Sequence, residues 1–192
     1  MGQVRIRPRA GRPVTPNRQH GFSLYDLLTS LGVVGVLGVG AIGGLQPMLE
    51  RQRLSTDVNL LVTHLAFARS EAIRRATPVT VCKSATGEGC NPESRWEEGW
   101  IVFVDADGDE RLGAGEAIIG VQESLSTGHT LEFRAALARN DAISFHPSGR
   151  SARNGTFTIC DRRRTAKTVI VNFVGRARVG DRTASGAKPQ CR

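Results

Sequence analysis

The chain lacks the residue patterns that carry most enzyme chemistry. It has no Gly-x-Ser-x-Gly elbow, no His-Glu-x-x-His pair and no phosphate-binding Gly-Lys-Ser/Thr loop. Their absence removes the signatures of α/β-hydrolases, zinc peptidases and P-loop nucleotidases. The four histidines, His20, His64, His129 and His146, are scattered and none is placed beside a cysteine. No two of the four cysteines have Cys-x-x-Cys spacing, which argues against zinc. Aromatic residues make up only 5% of the chain, and Phe173 is the sole aromatic among the C-terminal basic residues. Stacking on nucleobases is therefore not favoured. We expect no enzymatic activity, no cofactor and no metal.

Two absences of charge organise the N-terminal quarter. Residues 1–21 contain Arg5, Arg7, Arg9, Arg12 and Arg18 but no acid. Residues 27–45 contain no charge at all over 19 positions. A run of roughly 20 apolar residues spans a bilayer as a helix, and basic flanks stay cytoplasmic. Hydropathy alone makes this a signal anchor. Six glycines interrupt the run, at 32, 35, 38, 40, 43 and 44. Gly40 and Gly44 have the spacing that lets membrane helices approach closely. Asp26 stands at the start of the run, where an acid is a functional hypothesis by default. An acid reaching back to the membrane interface is the plainer reading.

The net charge of +8 is unevenly placed. Residues 22–149 carry a net of −6, whereas 150–192 carry +9. An acidic body with a basic C-terminal quarter points to a polyanion such as nucleic acid or anionic lipid. After the apolar run, Leu54, Val58, Leu61, Leu65, Ala68 and Ala72 recur at three- and four-residue spacing. They predict a helix with one buried stripe. Pro47 is expected to kink this helix, and Thr77-Pro78 to end it. Short β runs follow at 79–83, 100–105, 117–122, 130–134, 142–146, 156–160, 168–173 and 176–179, separated by Gly, Asn, Asp and Ser.

The cysteines, Cys82, Cys90, Cys160 and Cys191, are even in number on a chain read as exported, which suggests disulfides. Three pairings are possible. We favour Cys82–Cys90, closing a short Gly-rich loop, and Cys160–Cys191, stapling the tail to a strand. Asp105, Asp107, Asp109 and Glu116 occupy positions 1, 3, 5 and 12 of an EF-hand-like loop. Position 6, however, is Glu110 where such loops place glycine, and the flanks read as strands. Acidic turn residues explain the same letters.

Gly21-Phe22-Ser23-Leu24-Tyr25-Asp26 followed by the apolar run resembles the signal segment of type IV pilins and type II secretion pseudopilins. The stretch Ala68–Arg75, Val79–Cys82, Trp96–Asp105, Ser144–Gly149 and Val171–Arg178 is similar to the GspH/FimT branch of that class. The resemblance implies an α+β, pilin-like fold with a long N-terminal helix packed on an antiparallel β domain. It implies a leader at 1–21, removed by prepilin peptidase between Gly21 and Phe22, with N-methylation of Phe22. The membrane part of the helix would be 22–46, its periplasmic part 47–77, and the β-rich domain with its basic tail 78–192. The protein would be a single-pass inner-membrane subunit assembling with other pilins, with Asp26 pairing with a neighbour's free N-terminal amine.

Gly175-Arg176-Ala177-Arg178 matches the Gly-Arg-x-Arg motif that the FimT-like members are thought to use on DNA in natural transformation. The physics agrees, because alternate residues of an extended segment share a face and guanidinium forks fit phosphate oxygens. Lys167 and Arg182, with Arg162, Arg163, Arg164 and Lys188, are expected to extend the surface. The rival readings are a GspH-like minor pseudopilin of type II secretion and a purely structural pilus subunit.

Overall fold

The computed structural model describes residues 23–135 and 140–191, leaving aside the side chains of 36–45. A helix, α1 (Leu24–Arg75), is followed by eight strands: β1 (Val79–Lys83), β2 (Trp100–Val104), β3 (Ile118–Gln122), β4 (Thr130–Ala135), β5 (Ala142–Phe145), β6 (Gly155–Cys160), β7 (Ala166–Val171) and β8 (Ala177–Gly180). Each expected β run yields one of these strands. They form two four-stranded sheets, ordered β3-β2-β1-β5 and β4-β6-β7-β8. Every pairing is antiparallel. Compactness divides the chain into Met1–Gly44 and Leu45–Arg192.

In the first unit, Ser23 caps the helix. Its hydroxyl accepts from the Tyr25 amide at 3.4 Å, and Asp26 Oδ2 accepts from the Ser23 amide at 3.3 Å. This reciprocal arrangement satisfies two helix-end donors and places an acid in the first turn, where the helix dipole favours it. Gly21 and Phe22 lie outside the described residues. Among the described residues no helix is long and apolar enough to cross a membrane, and ten side chains of the expected span are not among them.

In the second unit the stripe Leu54, Val58, Leu61, Leu65, Ala68 and Ala72 is buried throughout. It packs against Val79, Val81, Trp100, Val102, Ile143 and Phe145 of the first sheet, and against Leu131, Phe133, Phe157, Ile159, Val169 and Val171 of the second. Trp96 closes the space between them, edge-on to Phe157 at 5.2 Å, while Phe133 stacks on Phe157 at 4.2 Å. Pro47 lies within the helix. Helix and strand ends carry their own stops: Ala76 turns with φ 52° beyond Arg75, and Pro78 precedes β1.

Strands β1, β2 and β5 of the first sheet are buried on both sides, whereas the edge strand β3 is partly exposed. The outer face of this sheet carries Cys82, Ile101, Phe103 and Ala142, covered by Cys90 and Leu112 from two loops. The cysteines pair as Cys82–Cys90 and Cys160–Cys191.

A buried polar cluster sits where α1 meets the loop before β4. His129 Nδ1 lies 2.5 Å from Asp57 Oδ2, and the Ser126 hydroxyl donates to Asp57 Oδ1 at 3.2 Å. Glu50 Oε2 is 3.6 Å from His129 Nε2.

Candidate nucleic-acid interface

The Gly-Arg-x-Arg segment forms the turn between β7 and β8 and the start of β8, the outermost strand of the second sheet. Asn172 builds the turn. Its carbonyl accepts from the Gly175 amide at 2.8 Å, and its side-chain oxygen accepts from the Arg176 amide at 3.0 Å. Gly175 has φ 78°, and a β-carbon there would stand 2.1 Å from the Gly149 carbonyl oxygen. The glycine therefore serves chain reversal and close backbone packing. Arg69 from α1 braces the same spot, its Nε donating to the Gly149 carbonyl at 2.8 Å.

Register then sorts the side chains. Val171 pairs with Ala177 and Val169 with Val179, and of these Val169, Val171 and Ala177 pack on the core while Val179 is exposed at the sheet edge, whereas Ile170 pairs with Arg178. Arg176 precedes β8, but the Asn172 amide donates to its carbonyl at 3.3 Å and extends the hairpin by one pair, so alternation puts it on the same outer face as Arg178. Both are exposed. Among the described residues, neither guanidinium has a carboxylate within ion-pair distance. Phe173 and Val174, at the tip of the same turn, are half exposed.

The other expected cations are placed elsewhere. Lys167 has the parity of Val169 and lies on the opposite face of β7, with Nζ 2.5 Å from Asp181 Oδ1. Arg182 follows β8 and donates from Nη1 to the Gly186 carbonyl at 3.0 Å, holding the turn of the tail. Arg162, Arg163 and Arg164 occupy the β6–β7 turn at the far end of β7. Six residues of strand put that turn about 20 Å from Arg176. Arg162 donates to the Thr127 carbonyl at 3.1 Å. Thus the basic quarter is divided between the two ends of one sheet, and Arg176 and Arg178 stand as a pair. Charge counting could not reveal the braces, Arg69 and Gly149; Pro147-Ser148-Gly149 signals a turn in sequence but not its partner.

The tail returns over the outer face of this sheet, tied by Cys160–Cys191. Beneath it lies a cleft of about 560 Å³ lined by Thr156, Ile170, Phe173, Ala184 and Pro189 among others.

The family model of "Type II transport protein GspH" matches residues 57–175. This chain belongs to the GspH family. The matched segment runs from the buried face of α1 to Gly175 and ends one residue before Arg176. No curated protein matches this GspH-family chain by sequence. Its fold is that of the type IV minor pilin FimU of Pseudomonas aeruginosa strain PAO1. One FimU crystal form aligns at 19% identity with a TM-score of 0.54, covering 75% of this chain and 98% of FimU. A second aligns at 18% identity with a TM-score of 0.50, covering 71% and 97%. The minor pseudopilin EpsH from the type 2 secretion system of Vibrio cholerae aligns at 13% identity with a TM-score of 0.48, covering 67% and 96%.

Proposed function

We propose that this GspH-family protein is a FimT-like minor pilin that binds DNA through Arg176 and Arg178. It would enter the inner membrane, lose residues 1–21 to prepilin peptidase, become methylated at Phe22 and join a type IV pilus. Asp26 would meet the free amine of a neighbouring subunit during assembly. The subunit works by assembly and binding, without turnover.

The observation that carries the DNA reading is the unpaired pair of guanidiniums on one face of an edge strand. Arg74, Arg134, Arg153 and Lys167 all have carboxylate partners. A cation already neutralised by a carboxylate must lose that partner to serve a phosphate, whereas Arg176 and Arg178 lose nothing. Contact directed at phosphate positions the nucleic acid without reading its sequence. Binding is then independent of sequence and weakened by salt. Uptake of extracellular DNA in natural transformation is the use such a site serves on a pilus.

The description of the matching family, a type II transport protein, favours a second reading, a minor pseudopilin of type II secretion. DNA binding by the oxidised protein, titrated at several salt concentrations beside Arg176→Ala/Arg178→Ala, separates the two. Salt-dependent binding lost in the variant supports the pilin reading. Absence of binding by the folded protein supports the secretion reading or a purely structural subunit, for which Asp26 matters and the arginines do not.

A further inference from the structure

The β2–β3 loop, from Asp105 to Ala117, takes no part in the interface above. We propose that it is a calcium site built on Asp105, Asp107 and Asp109. One carboxylate oxygen from each lies within 4.8 Å of the other two. Oxygens that each stand 2.3–2.6 Å from one calcium ion are at most about 5 Å apart. The three separations therefore meet the condition that sharing one ion sets.

Asp105 supplies an independent observation. Its side chain is fully buried. Oδ2 accepts from the Thr80 hydroxyl at 2.6 Å and from the Glu110 amide at 3.2 Å. The Gly108 amide makes a weak hydrogen bond to the carboxylate, but the buried Oδ1 has no partner at full hydrogen-bond geometry. An orphaned carboxylate oxygen in the interior is costly, and native proteins rarely leave one without a donor or an ion. A hard cation held by Asp107 and Asp109 at the surface end of the loop satisfies it.

The sequence objection to this site was Glu110 in the place of glycine. In the structure Glu110 has φ 63°, the left-handed turn that glycine would supply. It is held there by an ion pair to Arg153 across the β5–β6 connection. The flanks remain strands, so the likeness to an EF-hand stops at the loop. Glu116 also departs from that pattern. Its Oε1 accepts from the Ala106 amide at 2.7 Å and its Oε2 from the Gly113 amide at 2.8 Å. It closes the loop instead of coordinating.

Three carboxylates in an open loop place the affinity with extracellular modules, at about 10⁻⁴–10⁻³ M. The same loop contributes Leu112 to the outer hydrophobic layer of the first sheet. An ion would therefore fasten the cover of that layer.

The test uses the full chain in neutral detergent, with disulfides intact and metal stripped by chelator. Equilibrium dialysis against radioactive calcium should give one ion per chain, with Tm rising as calcium is added. In Asp107→Asn/Asp109→Asn both altered side chains are exposed, so the fold is kept, which circular dichroism verifies. Affinity should fall at least about tenfold and the Tm response should disappear. No binding up to about 10 mM calcium overturns the site. So does undiminished binding in the double variant, or an equal response to magnesium at the same concentration.

Discussion

A β-carbon on Gly175 would fall 2.1 Å from the carbonyl oxygen of Gly149, so the turn that presents Arg176 rests backbone to backbone on the turn after Pro147. Gly175→Ala must move one of the two turns and also adopt φ 78°. We expect a loss of about 1–3 kcal/mol in urea unfolding. DNA affinity should fall with it, because Arg176 leaves its position although its charge is kept. Full stability in the variant would show that the two turns are not packed as described.

The cations should separate by place. Arg176→Ala and Arg178→Ala should each reduce the slope of log K against log salt by about one unit, uniformly across DNA sequences. Lys167→Ala should change it little, since Lys167 lies on the other face of β7 and is paired with Asp181. Equal effects from all three would mean a diffuse basic surface.

Asp57→Ala leaves His129 buried beside Glu50 without its short partner. Leaving a buried polar group without its hydrogen-bond partner costs about 1–3 kcal/mol. Urea denaturation should show that loss with an unchanged m-value, which marks a stability effect and not a looser native state.

Acid should expose an ion cluster at the end of α1. Hydrogen bonds from Arg74 and then Arg75 hold the Glu71 carboxyl down to about 2, from an ordinary 4.5. A carboxyl depressed in the folded state stabilises above its unfolded value and stops doing so as pH falls through the folded one. The Tm advantage over Glu71→Gln should be full above about pH 4.5 and be lost as pH falls through about 2. Burial also holds the His64 imidazole below its ordinary 6.5, so stability should begin to decline as pH drops below that value.

The two disulfides should differ in worth. Cys160–Cys191 spans a separation of 31 residues and Cys82–Cys90 one of 8. On the chain-entropy model they contribute about 3–4 and about 2–3 kcal/mol. Removing the first by Cys160→Ser/Cys191→Ser should cost more in thermal unfolding than removing the second.

Much of this architecture is legible from local pattern. Leu54 to Ala72 follow the helical period because one side of α1 is buried, and each strand is bounded by turn residues. What the chain conceals is long-range. The division into two sheets depends on β5 crossing to pair with β1, which no periodicity records. Asp57 and His129 meet across 72 positions. Charge alone groups Lys167 with Arg176, but hairpin register turns it to the opposite face. At Glu110 the residue type argued against a left-handed turn, and Arg153, 43 positions away, holds it there.

The last strand of the second sheet is only four residues long and exposes one row of backbone donors and acceptors to solvent. Such a margin can recruit an extended segment of another molecule, and brevity together with charge discourages it. Arg176 and Arg178 therefore guard the border on which they stand. Neutralising them should leave the isolated protein more prone to self-association, a cost separate from any loss of ligand.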